Sequence, residues 1–327
     1  MPELTLSKAI NTGLRRALED DPKVIVMGQD VGGLGGVFRV TDGLQKDFGS
    51  DRVIDTPLAE ASIVGTAIGL ALRGYRPICE IQFDGFVYPA FSQIVSQLAK
   101  LRARTNGLLS VPVVIRIPVG GGIGAVEHHS ESNEAYFAHT AGLRVVCCSD
   151  PHDAHWMLRM AARGADPVIF YEPKRRYWSK ADVAESADDA RVLPLDRARV
   201  VRPGRDLTLL TYGGMVATCL EAAEIAAEEG RDLEVVDLRS LSPLDLDTIT
   251  ASVDRTGRCV VVHEAPTFAG LGAEVGSAVT ERCFYRLEAP VLRVGGYNTP
   301  YPPAKVEDQY LPDADRVLDA VDRAFAW

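Results

Sequence analysis

The segment Asp55-Thr56-Pro57-Leu58-Ala59-Glu60, followed by an uncharged run from Ala61 to Leu72, constrains this chain most. The run reads Ala-Ser-Ile-Val-Gly-Thr-Ala-Ile-Gly-Leu-Ala-Leu. It is long enough for a helix and has no polar face, so it predicts a helix buried on all sides. Gly65 and Gly69, four apart, let another element approach the backbone closely. Glu60 stands at the head of that dry helix. As a cap it is favoured by the helix dipole. As a functional group it is a carboxylate placed to hold a ring nitrogen where water is scarce.

Around this segment the pattern alternates. Ser7 is placed to cap a helix carrying Ile10, Leu14 and Leu18. Apolar runs at Val24–Met27, Pro77–Phe83, Val111–Val119, Leu143–Cys148 and Val168–Tyr171 read as strands. The spacing of Phe91, Ile94, Val95, Leu98 and Leu101 predicts a helix over 90–104, and 155–162 reads as another. Short apolar strands separated by helices imply a mostly parallel α/β sheet covered on both faces. Periodicity then lapses over 174–203 and resumes with strands at 207–211, 233–238, 259–263 and 291–294, interleaved with helices. This predicts an α/β domain over residues 1–173, a linker over 174–203 and a second α/β domain over 204–327.

Composition excludes several classes. The chain's 327 residues suffice for two domains. Its net charge of −10 comes from 35 basic and 45 acidic residues, with no basic stripe, so nucleic acid is excluded as a partner. Lys174-Arg175-Arg176, the densest basic patch, reads as a solvated face or a docking spot. No targeting segment is visible, and Arg116 interrupts the longest apolar stretch, so no membrane partner is expected. Six scattered cysteines without a C-x-x-C pair suit buried free thiols in a reducing cytoplasm.

Three segments could carry chemistry. The Gly28–Gly36 loop follows a strand but misses the G-x-G-x-x-G spacing, which disfavours a nicotinamide dehydrogenase. Gln82 and Phe86 follow a parallel strand, where ligands gather, as an amide hydrogen-bonder and an aromatic platform. The Gly-rich stretch 120–124 leads to His128 and His129, with Ser130 or Ser132 as cap of a following helix. A histidine at a helix N-terminus has a lowered proton affinity, useful in acid/base work. His128, His129 and His139 lack zinc-ligand spacing. The Gly-Asp-Gly…Asn motif that binds magnesium and diphosphate in thiamin enzymes is absent.

Taken together, Met27-Gly28-Gln29-Asp30-Val31, Gly35-Gly36-Val37-Phe38, Asp55 to Glu60, Glu80-Ile81-Gln82-Phe83, His129-Ser130-Glu131-Ser132, Phe137 to Gly142, His263-Glu264-Ala265-Pro266 and Leu287-Glu288-Ala289-Pro290 carry a resemblance. The chain resembles the β subunit of the thiamin-diphosphate-dependent decarboxylase of 2-oxo acid dehydrogenase complexes, most closely the branched-chain type. The resemblance implies a pyrimidine-binding domain and a transketolase-type C-terminal domain. It implies that Glu60 bonds the aminopyrimidine ring, that Leu58 and Phe86 pack it, and that His129 serves acyl transfer to a lipoyl arm. Phe86 stands where some relatives carry tyrosine, and Glu131 where relatives often carry glutamine. It further implies an α subunit that holds magnesium and the diphosphate, in a tetramer of two α and two β chains, and a core acyltransferase. Potassium on backbone carbonyls is implied at Val111, Val113, Val114, Ala161, Gly164 and Asp166. The pyruvate or acetoin version of this chemistry is the nearest alternative. A non-catalytic scaffold is another, disfavoured by the presence of both Glu60 and His129.

Overall fold

A computed structural model of the chain describes residues 2–327. The first half runs β1 (Glu3–Thr5), α1 (Leu6–Asp20), β2 (Val24–Gly28), α2 (Leu44–Phe48), β3 (Val53–Asp55), α3 (Glu60–Leu72), β4 (Arg76–Glu80), α4 (Leu101–Arg104), β5 (Val114–Val119), α5 (Glu134–Ala138), β6 (Arg144–Cys147), α6 (Pro151–Arg163) and β7 (Val168–Pro173). There follow β8 (Lys180–Asp182), β9 (Arg199–Arg202), β10 (Leu207–Thr211), α7 (Met215–Glu228), β11 (Leu233–Asp237), β12 (Ser240–Ser242), α8 (Leu246–Thr256), β13 (Cys259–Pro266), α9 (Leu271–Cys283), β14 (Leu292–Gly296), α10 (Glu307–Tyr310) and α11 (Ala314–Phe325).

Seven strands in the order β12-β6-β7-β5-β4-β2-β3 form one sheet, and five in the order β14-β13-β10-β11-β9 form the other. Only the edge strands β12 and β9 pair antiparallel; the rest of both sheets is parallel, as the apolar strand sequences predict. β12 comes late in the chain yet closes the edge of the first sheet. The 174–203 segment contains β9 of the second sheet and β8, which pairs with β1. A single apolar cluster runs from Ile117, Cys147 and Tyr171 of the first sheet to Leu210, Tyr212 and Val236 of the second. All six cysteines are free and buried.

Three local readings change. Thr5, not Ser7, caps α1: its Oγ1 accepts from the Lys8 N–H at 3.3 Å. The stretch read as one helix over 90–104 is broken into a 3-10 turn at Asp84–Ala90, a π turn at Gln93–Gln97, a 3-10 turn at Leu98–Lys100 and then α4. Pro89 lies inside the first turn and has no N–H to give, so regular i→i−4 bonding cannot start there. Such wide turns recur where a functional residue must be re-aimed. Third, α3 is buried on one face only: Ile63, Val64, Ala67, Ile68 and Ala71 are covered, while Ser62, Thr66, Gly69 and Leu72 are exposed. A Cβ built on Gly65 or Gly69 meets nothing within 4 Å. The glycine face expected to be packed is open in the single chain.

At the centre of the first sheet lies a buried charge network. Arg116, with 0% exposure, grips Glu172 by two hydrogen bonds of 2.6 and 2.9 Å and donates a third to Glu80 at 2.6 Å. Tyr177 donates to Glu172 at 2.8 Å. Burial pushes the Glu80 carboxyl up, against the pull of Arg116. Arg116→Met would leave two buried carboxylates without their cation, so a loss of about 3–5 kcal/mol is expected. Denaturant melts of the variant check this; a change below about 1 kcal/mol would show that the network does not tie the strands together.

Candidate active site

Strand register gathers the site. Gly28 lies opposite both Asp55 and Glu80, and Val119 opposite Pro173. The carboxyl ends of β3, β2, β4, β5 and β7 therefore form one edge, from which the loops bearing Glu60, Gln82, Phe86 and His129 emerge, as ligand sites on parallel sheets require.

Glu60 is the first residue of α3 and 7% exposed, and the preceding Ala59 offers no side-chain cap. Among the described residues no hydrogen bond to its carboxylate is present, so a buried acid has its acceptor capacity free. α3 packs on the 84–90 turn that carries Phe86. Leu58, two residues before Glu60, is 65% exposed.

His129 ends a 3-10 turn, Glu127–His129. Its ring meets Phe83 edge-on at 4.3 Å between centroids and Phe86 at 5.1 Å, while His128 lies 6.0 Å from Phe86. A Cβ on Gly85 would come 2.5 Å from the His128 carbonyl oxygen, so glycine is what lets the two turns meet. The structure thus brings Phe86 and His129 together. His129 Nδ1 is buried without a partner. Its proton affinity is lowered, chiefly by burial and then by His128 and Lys174, while Glu127 opposes the shift. The expected cause, a helix N-terminus, does not hold. α5 starts only at Glu134, its cap position is Asn133, and neither Ser130 nor Ser132 caps it.

Gln82 lies on the same edge, but its amide is engaged. It donates to Asp30 Oδ2 at 3.0 Å and to the Gln29 carbonyl at 3.4 Å, holding the turn after β2. Behind the aromatic rings sits a pair that the sequence did not announce. Lys174, 2% exposed, donates to the buried Asp84 carboxylate, and its Nζ lies 5.8 Å from the Phe83 ring centroid. The reading of Lys174 as part of a solvated basic patch is corrected: Arg175 and Arg176 are partly exposed, but Lys174 turns inward. Burial pushes Asp84 up to about 7 despite Lys174. Asn133 Nδ2 donates to the Asp84 carbonyl at 2.9 Å, and Tyr171 donates to Asn133 Oδ1 at 2.7 Å. The one signal in the sequence was position: Lys174 directly follows a parallel strand.

The carbonyl set implied for potassium collects at the opposite, amino-terminal edge of the sheet. Val111 O accepts from Val113 N at 2.8 Å, Val113 O from Val168 N at 2.9 Å, and Ala161 O from Gly164 N at 3.1 Å. Val114 is paired within β5, opposite Ile78 and Val168. Gly164 O accepts from Arg76 Nη2, and Arg76 Nε donates to Ala162 O at 2.8 Å. The Asp166 carboxylate receives Arg102 and Arg144. The Arg76 guanidinium thus lies on one carbonyl of this set, Gly164 O, while each of these carbonyl oxygens has a second lone pair. Among the described residues, the acidic and histidine group close enough to hold a metal is Asp150, His152 and Asp153, away from this edge. Arg199 bridges Asp150 and Asp153, and Arg239 Nε meets Asp153 at 2.9 Å, so its charge is balanced.

With this geometry in place, comparison with known proteins is specific. The family "Transketolase, pyrimidine binding domain" matches residues 2–179, and "Transketolase, C-terminal domain" matches residues 196–317. The chain is 61% identical over 324 residues to a pyruvate dehydrogenase E1 component subunit beta of Leifsonia xyli, covering 99% of this chain and 95% of that one. It is 55% identical over 322 residues to a 3-methyl-2-oxobutanoate dehydrogenase subunit beta of Mycobacterium tuberculosis, covering 98% and 91%. It is 48% identical to a 2-oxoisovalerate dehydrogenase subunit beta of Pseudomonas aeruginosa, covering 98% and 94%. A solved split-gene transketolase, an inactive beta4 tetramer, superposes with a TM-score of 0.80 at 24% identity over 99% of this chain and 98% of that one, which shows the shared fold. No helix among the described residues is long and apolar enough to cross a membrane. The chain belongs to the E1 β subunits of the 2-oxo acid dehydrogenases, a thiamin-diphosphate-dependent family built on transketolase-type domains.

Proposed function

We propose that this chain is the β subunit of a branched-chain 2-oxo acid dehydrogenase, which decarboxylates branched 2-oxo acids and acylates a lipoyl domain. The observation that carries the reading is Glu60: a buried carboxylate with free acceptor capacity, at the head of a helix whose glycine face is uncovered. Such a carboxylate fits a ring N–H brought by thiamin diphosphate. When bound, that cofactor supplies the electron sink that makes loss of carbon dioxide feasible. Glu60 orients the ring and stabilises its protonated form, more strongly because water is excluded. Phe86 offers the aromatic face beside it.

His129, held between Phe83 and Phe86, is neutral near pH 7 and can take or give one proton at the acyl-transfer step. The open face of α3 supports docking of another subunit, and an α chain supplying the magnesium and diphosphate half of the site is the partner this reading requires. The likeness to both 3-methyl-2-oxobutanoate and 2-oxoisovalerate dehydrogenase β subunits supports the branched-chain assignment. The 61% identity to a pyruvate-type β subunit favours pyruvate as the second reading.

Glu60→Gln keeps a hydrogen bond but cannot stabilise the protonated ring. Proton exchange at the thiazolium carbon of bound thiamin diphosphate is expected to slow on the order of 10²-fold. Near-normal exchange would remove Glu60 from this role.

His129→Ala is expected to separate the half-reactions, cutting lipoyl acylation far more than decarboxylation read with an artificial electron acceptor. Because its proton affinity is lowered, His129 stays neutral to a pH below the ordinary histidine value of 6.5. The acidic limb of the wild-type acylation rate should therefore fall below that value. Equal losses in both assays, or an acidic limb above it, would argue against this assignment.

Co-expression with its α chain and competition between 2-oxoisovalerate and pyruvate tests the substrate. One methylene in an apolar pocket is worth about 1–3 kcal/mol, so a preference of roughly 10- to 200-fold for the branched acid is expected. A higher specificity constant for pyruvate moves the chain to the second reading.

A further inference from the structure

The Gly-rich stretch that carries His129 is held by the second domain. Gly120, Gly122 and Gly124 have φ of +83°, +81° and +67°, which turn successive backbone N–H groups toward one side. Such a concavity ordinarily receives an anion. Here a side chain fills it. Glu307 Oε1 accepts from Gly122 N and Glu307 Oε2 from Gly124 N, both at 2.9 Å. A second carboxylate of the second domain, Glu264, accepts from Gly121 N. Tyr301 donates to Glu307 Oε1 at 2.6 Å and fixes its orientation. Glu307 is 5% exposed, and a Cβ on Gly121 would come 1.7 Å from the Tyr301 hydroxyl oxygen, so the fit leaves no slack. At its base the loop closes through Gly120 N, which donates to the Glu131 carbonyl at 3.1 Å. His129 therefore sits in a loop closed at its root by its own backbone and clamped at its tip by Glu307.

We propose that Glu307 is a positioning residue for His129, so that acyl transfer depends on a carboxylate of the second domain that does not itself meet substrate. This rests on the functional reading above for its activity arm, though not for its structural one. Charge-assisted bonds to two N–H groups hold the loop in one conformation. A displacement of about 1 Å at a reacting group is enough to cost on the order of 10²-fold in rate.

The test uses the chain assembled with its α partner, as wild type and as Glu307→Ala, Glu307→Gln and Tyr301→Phe. Amide hydrogen exchange over 120–129 should rise in Glu307→Ala, while β4 and α3 keep wild-type protection. The kcat of lipoyl acylation should fall about 10- to 100-fold, with the KM for the lipoyl domain little changed and artificial-acceptor decarboxylation reduced much less. Glu307→Gln keeps one acceptor oxygen and Tyr301→Phe keeps both, so graded partial losses are expected in folded proteins even where the alanine variant misfolds. Unchanged loop exchange in the glutamine variant overturns the clamp. A loosened loop with unimpaired acylation, or an equal loss in both activities, overturns the positioning role. Failure of the wild-type assembly to acylate a lipoyl domain counts against the functional reading instead, and the exchange comparison still decides the clamp.

Discussion

Arg116 ties together the strands from which the site grows. It is fully buried in β5, bonded to Glu80 at the end of β4 and to Glu172 near the end of β7. Two carboxylates against one guanidinium leave an excess of negative charge, which burial relieves by raising the Glu80 carboxyl. Removing Arg116 would strand both carboxylates in the core, so the guanidinium fixes the three strands relative to one another. The next residues along β4 lead to Gln82 and Phe86, those along β5 to the His129 loop, and the one after β7 is Lys174. The candidate site, whose groups come from separate strands that must be held in place, lies directly beyond this network.

The fold class and much of the candidate site were legible in the sequence because both rest on local pattern. Apolar runs of strand length separated by helical periodicity gave the parallel sheets. The uncharged helix behind Glu60 marked that carboxylate, and a Gly-rich stretch ending in histidines marked His129. What escaped was long-range. Lys174 reads as basic and solvated until β7 is laid beside β5, when it meets Asp84 from 90 residues away. Glu307 sits in a charged stretch with no periodicity and gains meaning only from two glycine amides more than 180 residues earlier. The broken 84–104 stretch escaped for a different reason. Its apolar spacing is helical, and it is the proline and the approach of His128 on Gly85 that bend the backbone into tighter and wider turns.

The helix read as buried on all sides is covered on one face only. Beyond Glu60, α3 has no charge on any face, yet a strip through Ser62, Thr66 and Gly69 is open. A lone subunit gains nothing from leaving such a surface uncharged and glycine-rich, since an exposed glycine costs helix stability without improving solubility. The composition is intelligible if a second backbone lies close against it. The same logic applies to Glu60 at the head of that helix, a buried acid with no partner inside its own chain. Both features sit on one helix.

Electrostatics then joins the two domains. Lys174 is desolvated in the first domain, and its positive charge is supported first by Asp84 and then by Glu264 and Glu307 of the second. Those same two glutamates accept the backbone N–H groups of the loop that carries His129. Lys174 in turn is among the charges that keep His129 neutral. The second domain thus acts on the histidine twice, by holding the loop and by stabilising the cation beside it. A general acid or base needs both a fixed position and a fixed charge environment, and here one pair of carboxylates supplies a share of each to His129.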